Sequence, residues 1–159
     1  MNVADLTKTL AAILLSRNWT VSLAESCTGG LVCATLTELA GSSEWFERGY
    51  ITYSNEAKNE CLGVPSQLIE SHGAVSEQVA KAMAEGARIN SGSNVAISIT
   101  GVAGPSGGSA EKPVGTVCFG WATESQTLTK TMHFDGDRQT IRQQATEFAL
   151  AELIALLRS

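Results

Sequence analysis

The chain has 159 residues, of which 43% are hydrophobic and 17% charged, and its formal net charge is −5 at pH 7. This length supports a single domain with a substantial hydrophobic core, which we place over residues 1–159. Its 11 Lys and Arg residues are scattered singly, and this pattern excludes the basic patches that bind nucleic acids or anionic membranes.

The cysteines and the hydrophobic runs predict the cellular compartment of the protein. Cys27, Cys33, Cys61 and Cys118 form no C-x-x-C pair and have no histidine at ligand spacing, so we predict no metal site. The first apolar run, residues 10–15, is too short to span a membrane, and no signal peptide is recognisable. We therefore expect a cytoplasmic protein with reduced thiols. Because charged residues are few, we also expect a homo-oligomer.

Helical and strand patterns alternate along the chain. Apolar periodicity, β-branched runs and capping residues mark the elements. In chain order they predict a helix over 3–17, a strand over 20–24, a helix over 28–39, a strand toward the end of 45–53, a helix capped by Ser54 or Asn55, helices over 66–71 and 76–90, strands over 94–100, 114–122 and 128–134, and a last helix after the turn at 135–137. This order predicts an α/β domain, a single layered unit whose mixed sheet packs against helices.

The first candidate site lies where the strand over 20–24 meets the next helix. Ser26 and Cys27 place a hydroxyl and a thiol at this turn, followed by Thr28, Gly29 and Gly30. Unpaired N–H groups and the helix dipole favour an anion there, either a bound phosphate or the oxyanion of an acyl-transfer intermediate. The alternative is structural: Ser26 or Thr28 caps the helix and the glycines only form the turn.

The second candidate is a base for this serine. Tyr53 and Lys58 flank a strand end and a helix start, at the kind of sheet edge where α/β proteins bind ligands. A desolvated lysine has a lowered pKa and can deprotonate a serine, although a solvated surface lysine is the alternative. His72 is predicted in a turn and His133 in a strand, neither with a catalytic partner, so Lys58 is the leading base by elimination.

The third candidate is the glycine-rich loop over 100–109. It lacks the spacing of a P-loop, but its glycines allow the backbone to approach a ligand closely and to present N–H groups to an anion. A long flexible connection is the alternative. Lys112 and Arg142 are candidate phosphate partners, and each could equally be a surface charge.

Several of these segments together resemble one known family. They are Ala24–Gly30 (AESCTGG), Tyr53–Lys58 (YSNEAK), Gly73–Glu77 (GAVSE) and Thr100–Pro105 (TGVAGP), joined by residues 111–117 (EKPVGTV) and 136–138 (GDR). In this order, and over nearly the whole chain, they closely resemble the CinA C-terminal domain family, the nicotinamide-nucleotide amidases of bacteria. The sequence has no counterpart of the additional N-terminal domain of full-length CinA proteins, so we expect the stand-alone form.

The resemblance implies a reaction and a mechanism. It implies hydrolysis of nicotinamide mononucleotide to nicotinic acid mononucleotide and ammonia, with Ser26 as the nucleophile and Lys58 as the general base. Tyr53 is expected to orient Lys58 or the substrate, and the N–H groups of residues 27–29 are candidate oxyanion donors. The scheme needs no metal ion and no other cofactor.

The residues expected to bind the nucleotide lie in the same motifs: Cys27, Thr28, Gly29, Gly30, Asn55, Thr100, Gly101, Gly104, Gly107, Gly108 and Arg142. Two other functions stay open from the sequence. The first is a regulatory module that binds nucleotides without catalysis. The second is a cysteine hydrolase in which a helix N-terminus stabilises the Cys27 thiolate.

Overall fold

A computed structural model describes all 159 residues, which form five strands and six α-helices. The helices are α1 (Val3–Arg17), α2 (Leu31–Thr37), α3 (Asn55–Leu62), α4 (Ser66–His72), α5 (Glu77–Ser91) and α6 (Arg138–Arg158). The strands are β1 (Val21–Glu25), β2 (Phe46–Ile51), β3 (Val95–Gly101), β4 (Thr116–Thr123) and β5 (Thr127–His133). None of the helices combines the length and the apolar character needed to cross a membrane.

The predicted α/β domain with a mixed sheet is confirmed, and the elements follow the predicted order. The largest difference concerns the helix predicted over 28–39, which spans only Leu31–Thr37. Its start is delayed because Gly29 and Gly30 have φ values of +55° and +103°, which are outside the right-handed helical region. The residues after Ser26 therefore form a tight turn rather than the first turn of the helix.

The sheet has the order β2-β1-β3-β4-β5. β1 is parallel to both β2 and β3, whereas β4 is antiparallel to β3 and to β5. The chain leaves β1 for β2 on one side and later reaches β3 on the other, so a crevice opens at the carboxyl end of β1. This topology brings together the residues that follow the three parallel strands, namely Ser26, Thr52 and Val102.

The two faces of the sheet carry side chains of different size. On one face, large residues such as Leu23 and Phe119 belong to the main hydrophobic core, to which α1, α2 and α6 also contribute. On the other face, Ser98 and Gly120 leave room for α5 to pack closely, since a Cβ at position 120 would lie 2.7 Å from the carbonyl oxygen of Ala80. α5 thus packs against β3 and β4, and the segment before it is tied to the end of β3 by the Thr100 hydroxyl, which donates to the carbonyl of Ala74 at 3.0 Å.

Candidate active site

Ser26 and Lys58 meet at the carboxyl edge of the parallel strands. Ser26 follows β1 directly, and its N–H donates to the carbonyl of Ile99 at 3.0 Å, which fixes the residue against β3. Lys58 lies near the start of α3, which is capped by the Ser54 hydroxyl accepting from the Ala57 N–H at 3.0 Å. The Nζ atom of Lys58 lies 3.0 Å from the Oγ atom of Ser26. The sequence placed these two residues in separate motifs, and the fold brings their reactive atoms within hydrogen-bond distance.

The surroundings of Lys58 favour a neutral amine. Its side chain is only 1% exposed and takes part in no ion pair. Nζ has two further partners, the carbonyl oxygens of Thr52 at 3.0 Å and of Tyr53 at 3.2 Å. A neutral amine satisfies all three contacts by donating its two N–H groups to the carbonyls and accepting from the Ser26 hydroxyl. The two carbonyls thus direct the lone pair of Nζ toward Ser26.

The pKa of Lys58 moves in the direction that a general base requires. Burial removes water from the ammonium and lowers the pKa below its ordinary value of 10.5, while the nearby Cys27 thiol acts weakly in the opposite sense. No carboxylate restores the charged form, because neither ion pair of the molecule involves this lysine. A larger share of the amine is therefore unprotonated near neutral pH than for a lysine in water.

Cys27 lies beside Ser26, and its own thiol is a poor nucleophile. Its side chain is 6% exposed, and burial raises the pKa of the thiol to about 12. The positive charge of Arg142 opposes this effect only in part. Since the thiolate is the reactive form of cysteine, a thiol that stays protonated at neutral pH speaks against the cysteine-hydrolase hypothesis.

The N-terminus of α2 is already occupied by a negative group of the chain itself. The Glu25 side chain is fully buried, and its carboxylate accepts the N–H groups of Gly30 and Val32, both at 3.1 Å, and of Cys33 at 2.9 Å. The interpretation of this helix end as a site for a bound phosphate was therefore wrong, because an internal carboxylate takes the place of the ligand.

Replacing this carboxylate should destabilise the fold. A glutamine at position 25 keeps one carbonyl oxygen for two of the N–H groups but turns an NH₂ group toward the N–H of Cys33. We expect Glu25→Gln to lower the free energy of unfolding by about 1–3 kcal/mol, the cost of leaving a buried donor unsatisfied. Urea denaturation followed by circular dichroism measures this change, and an unchanged midpoint would show that the cap contributes nothing.

The turn after Ser26 leaves two N–H groups free. The N–H of Gly29 donates to the carbonyl of Ser26 at 3.0 Å, so this predicted oxyanion donor is already bonded. The N–H groups of Cys27 and Thr28 donate to no protein oxygen. Of the three donor residues predicted over 27–29, only Cys27 lines the cavity, so its N–H is available to an oxyanion that forms next to the Ser26 hydroxyl, whereas Thr28 is fully buried outside the cavity lining.

A cavity of about 340 Å³ opens over the Ser26–Lys58 pair. Nine predicted site residues line it, namely Ser26, Cys27, Tyr53, Asn55, Lys58, Thr100, Gly101, Gly104 and Gly107. Five others do not, namely Thr28, Gly29, Gly30, Gly108 and Arg142. The third candidate of the sequence analysis, the glycine-rich loop, thus forms one wall of the same cavity as the first two candidates, and the hypothesis of an idle flexible connection loses its support.

Arg142 and Lys112 have structural partners instead of facing the cavity. The guanidinium of Arg142 donates to the carbonyl of Cys27 at 3.1 Å and to that of Thr28 at 2.8 Å, and it thereby holds the turn that carries Ser26. Lys112 donates to the carbonyl of His72 at 2.8 Å. The hypothesis that either residue binds phosphate is corrected: Arg142 holds the turn that carries Ser26, and Lys112 ties its loop to the end of α4.

Arg138, one helical turn before Arg142, is the cation that the sequence analysis did not select. It lines the cavity and donates to the carbonyl of Gly104 at 2.8 Å and to the phenol oxygen of Tyr53 at 3.3 Å. The Asp137 cap predicts where α6 begins, but not which arginine of its first turns faces the loop. That choice depends on the rotation of α6 against the sheet, and the sequence signal for Arg138 is its place in the GDR motif of residues 136–138.

Tyr53 takes part in the site through two different atoms. Its carbonyl oxygen accepts from Lys58, whereas its ring is 61% exposed and its phenol oxygen accepts from Arg138. Tyr53 thus contacts Lys58 through its main-chain carbonyl, and its role in orienting Lys58 or the substrate stays a prediction. The ring lies at the rim of the cavity.

The chain matches a known protein family along nearly its whole length. The sequence model described as CinA C-terminal domain matches residues 3–157. This chain belongs to the CinA C-terminal domain family. The resemblance found in the sequence motifs is thereby confirmed.

Named relatives of this CinA-family chain fall into two groups of different length. It is 52% identical over 147 residues to the nicotinamide-nucleotide amidohydrolase PncC of Enterobacter agglomerans, an alignment that covers 92% of this chain and 90% of that protein. It is 50% identical over 150 residues to the protein of the same name from Escherichia coli K12, covering 94% and 91%. It is also 51% identical over 152 residues to a CinA-like protein of Syntrophobacter fumaroxidans, but there it spans only 36% of the longer protein.

Solved structures of CinA-superfamily proteins share the whole fold. The competence damage-inducible protein A of Klebsiella pneumoniae superposes with a TM-score of 0.96 at 39% identity, covering 99% of this chain and 98% of that one. The competence/damage inducible protein of Agrobacterium tumefaciens gives 0.95 at 43% identity, covering 99% and 96%. The CinA-family chain is therefore similar to these proteins from its first helix to its last.

Proposed function

We propose that this chain is an amidohydrolase that converts nicotinamide mononucleotide to nicotinic acid mononucleotide and ammonia, with Ser26 as the nucleophile and Lys58 as the general base. The observation that carries the proposal is the 3.0 Å contact between the Ser26 hydroxyl and a buried lysine that has no carboxylate partner. The substrate follows from the relatives named nicotinamide-nucleotide amidohydrolase, which share about half of the sequence over nearly all of its length.

The first step is the formation of an acyl-enzyme. Neutral Lys58 takes the proton of the Ser26 hydroxyl, and Oγ attacks the carboxamide carbon of the substrate. The C=O double bond opens and its oxygen becomes an oxyanion. The N–H group of Cys27 donates to no protein oxygen and belongs to a residue that lines the cavity, and it stabilises the charge as it develops.

The second half of the reaction returns the enzyme to its starting state. Lys58, now protonated, gives its proton to the amide nitrogen, the C–N bond breaks and ammonia leaves. A water molecule then attacks the ester on Ser26, with Lys58 again accepting the proton. The bond between Oγ and the acyl carbon breaks, Lys58 returns the proton to Oγ, and nicotinic acid mononucleotide is released. The carbonyls of Thr52 and Tyr53 hold Nζ in place throughout, since they accept its N–H groups in both protonation states.

The direct test of the activity is product formation by the purified chain. On incubation with nicotinamide mononucleotide, we expect ammonia and nicotinic acid mononucleotide to appear in equal amounts. Binding of the nucleotide with no release of ammonia would contradict the proposal and would favour the non-catalytic regulatory module instead.

The rate should depend on pH through Lys58. Because the unprotonated amine is the base, kcat/KM should rise with pH as Lys58 loses its proton. Because burial lowers the pKa of this lysine, the rise should level off below pH 10.5, the ordinary lysine pKa. A profile measured from about pH 6 to about pH 10 tests this, and a rate that is flat or falls over that range would argue against a lysine base.

A further inference from the structure

The cavity over Ser26 differs in charge from the rest of the protein. No Asp or Glu lines it, although the chain carries 16 acidic residues and a net charge of −5. Four other surface pockets of similar volume each include at least one glutamate. Arg138 and Lys58 are the charged side chains in the lining, and Lys58 is the buried base. The cavity is thus suited to an anionic ligand whose negative charge pairs with the guanidinium of Arg138.

The loop that Arg138 contacts through the carbonyl of Gly104 presents unpaired backbone donors. The N–H groups of Ala103, Gly104, Ser106 and Gly107 all belong to cavity-lining residues, and none donates to a protein oxygen. Gly104 and Gly107 have φ values of +82° and +94°, the left-handed conformation with which a short loop forms an anion-binding concavity. Groups of this kind are satisfied by water or by a ligand.

Arg138 retains donors for a ligand. Two of the five guanidinium N–H groups are used, one on the carbonyl of Gly104 and one on the phenol of Tyr53. These two contacts fix the guanidinium plane across the mouth of the cavity. No carboxylate forms an ion pair with it, so its charge is available to an incoming anion.

We propose that Arg138 and the N–H groups of residues 103–107 bind the phosphate monoester of the nucleotide substrate, and that Arg138 sets the preference of the enzyme for the nucleotide over the nucleoside. This inference rests on the proposed amidase function and names the residues that select its substrate. Tyr53 supports the geometry, because its carbonyl lies at the Lys58 end of the cavity and its phenol at the Arg138 end. The carboxamide of the nucleotide therefore lies at the Ser26–Lys58 end and its phosphate at the Arg138 end.

The test combines a change in the enzyme with a change in the substrate. We compare kcat/KM for nicotinamide mononucleotide and for nicotinamide riboside, which lacks the phosphate, in the wild type and in Arg138→Gln. The loss of one charge-assisted contact should lower kcat/KM for the nucleotide by about 10- to 100-fold, with a change of less than about threefold for the riboside. The ratio of kcat/KM for the nucleotide to kcat/KM for the riboside should therefore be much lower in the variant than in the wild type.

Two other arginines serve as controls. Arg142→Gln, one turn along the same helix, loosens the turn that carries Ser26 and should lower both values by the same factor. Arg88→Gln also removes one positive charge, but near the C-terminal end of α5 and outside the cavity lining. It should leave kcat/KM unchanged for both substrates. If Arg138→Gln lowers both substrates equally, as Arg142→Gln is expected to do, Arg138 only braces the cavity and the proposal is wrong.

A binding measurement separates this proposal from the proposed function. Isothermal titration of nicotinamide mononucleotide into Ser26→Ala, with and without Arg138→Gln, needs no turnover. We expect the second substitution to raise Kd by about 10- to 100-fold. An unchanged Kd would overturn the phosphate proposal even if the wild type releases ammonia, whereas a wild type that binds the nucleotide through Arg138 and releases no ammonia would overturn only the amidase function.

Discussion

Ser26→Ala is expected to lower the rate of ammonia release from nicotinamide mononucleotide by at least about 1,000-fold, the scale on which loss of a catalytic nucleophile acts in serine hydrolases. The physical reason is that, in the proposed mechanism, the hydroxyl oxygen forms the covalent bond to the substrate, and alanine has no atom that replaces it. The fold should survive, because the contacts of this oxygen are with Lys58 and, at 3.5 Å, with the carbonyl of Tyr53. A steady-state ammonia assay and a urea unfolding curve measure the two effects.

Cys27→Ala is the matched control for this variant. It removes the neighbouring side chain, which also lines the cavity, but leaves the hydroxyl and the lysine in place. Because the pKa of the Cys27 thiol is about 12, the thiol is protonated at neutral pH, and the variant should keep substantial activity. An inactive Cys27→Ala together with an active Ser26→Ala would reverse the assignment and establish a cysteine hydrolase.

Lys58→Ala and Lys58→Arg are expected to be nearly equally inactive, with kcat lowered by about 1,000-fold or more. Alanine removes the base. Arginine keeps a positive charge but stays protonated at any accessible pH, so it cannot accept the proton of Ser26. Measured values of kcat and KM for both variants test this. If Lys58 only bound the substrate as a charge, arginine would restore much of the rate and the main effect would be on KM.

Because Lys58 is buried, variants at this position need a control that shows they are folded. A guanidinium is larger than an ammonium and always charged, so Lys58→Arg could lose activity by disturbing a position that is only 1% exposed. Lys58→Met keeps the length and the apolar stem of the side chain without the amine. We expect Lys58→Met to be folded by circular dichroism and inactive, and an active Lys58→Met would exclude the lysine as the base.

The sequence was sufficient to predict the parts of the site that follow from the order of the elements. Ser26 comes directly after a buried strand, and Lys58 lies in the helix after the next strand. In a parallel arrangement both positions are at the carboxyl edge of the sheet, so their proximity follows from topology. The glycine-rich loop after β3 joins them for the same reason.

The remaining parts depend on three-dimensional packing. Glu25 has one signal in the sequence, a charged residue in an apolar strand, but its carboxylate accepts from residues up to eight positions later, across a turn whose shape depends on two left-handed glycines. The roles of Arg138 and Arg142 depend on the rotation of α6, and no local pattern specifies it. The expected homo-oligomer and the expected absence of nucleic-acid partners depend on the surface, and they stay predictions.

The most direct test of the central claim, an acyl-enzyme on Ser26, is partitioning of the reaction with hydroxylamine. If Ser26 forms an ester with the nicotinate group, hydroxylamine competes with water for that ester, and the hydroxamate of the nucleotide should appear at the expense of nicotinic acid mononucleotide as hydroxylamine is increased. We expect this product in the wild type and its loss in Ser26→Ala. Nicotinic acid mononucleotide as the sole product at every hydroxylamine concentration, with ammonia still released, would contradict it.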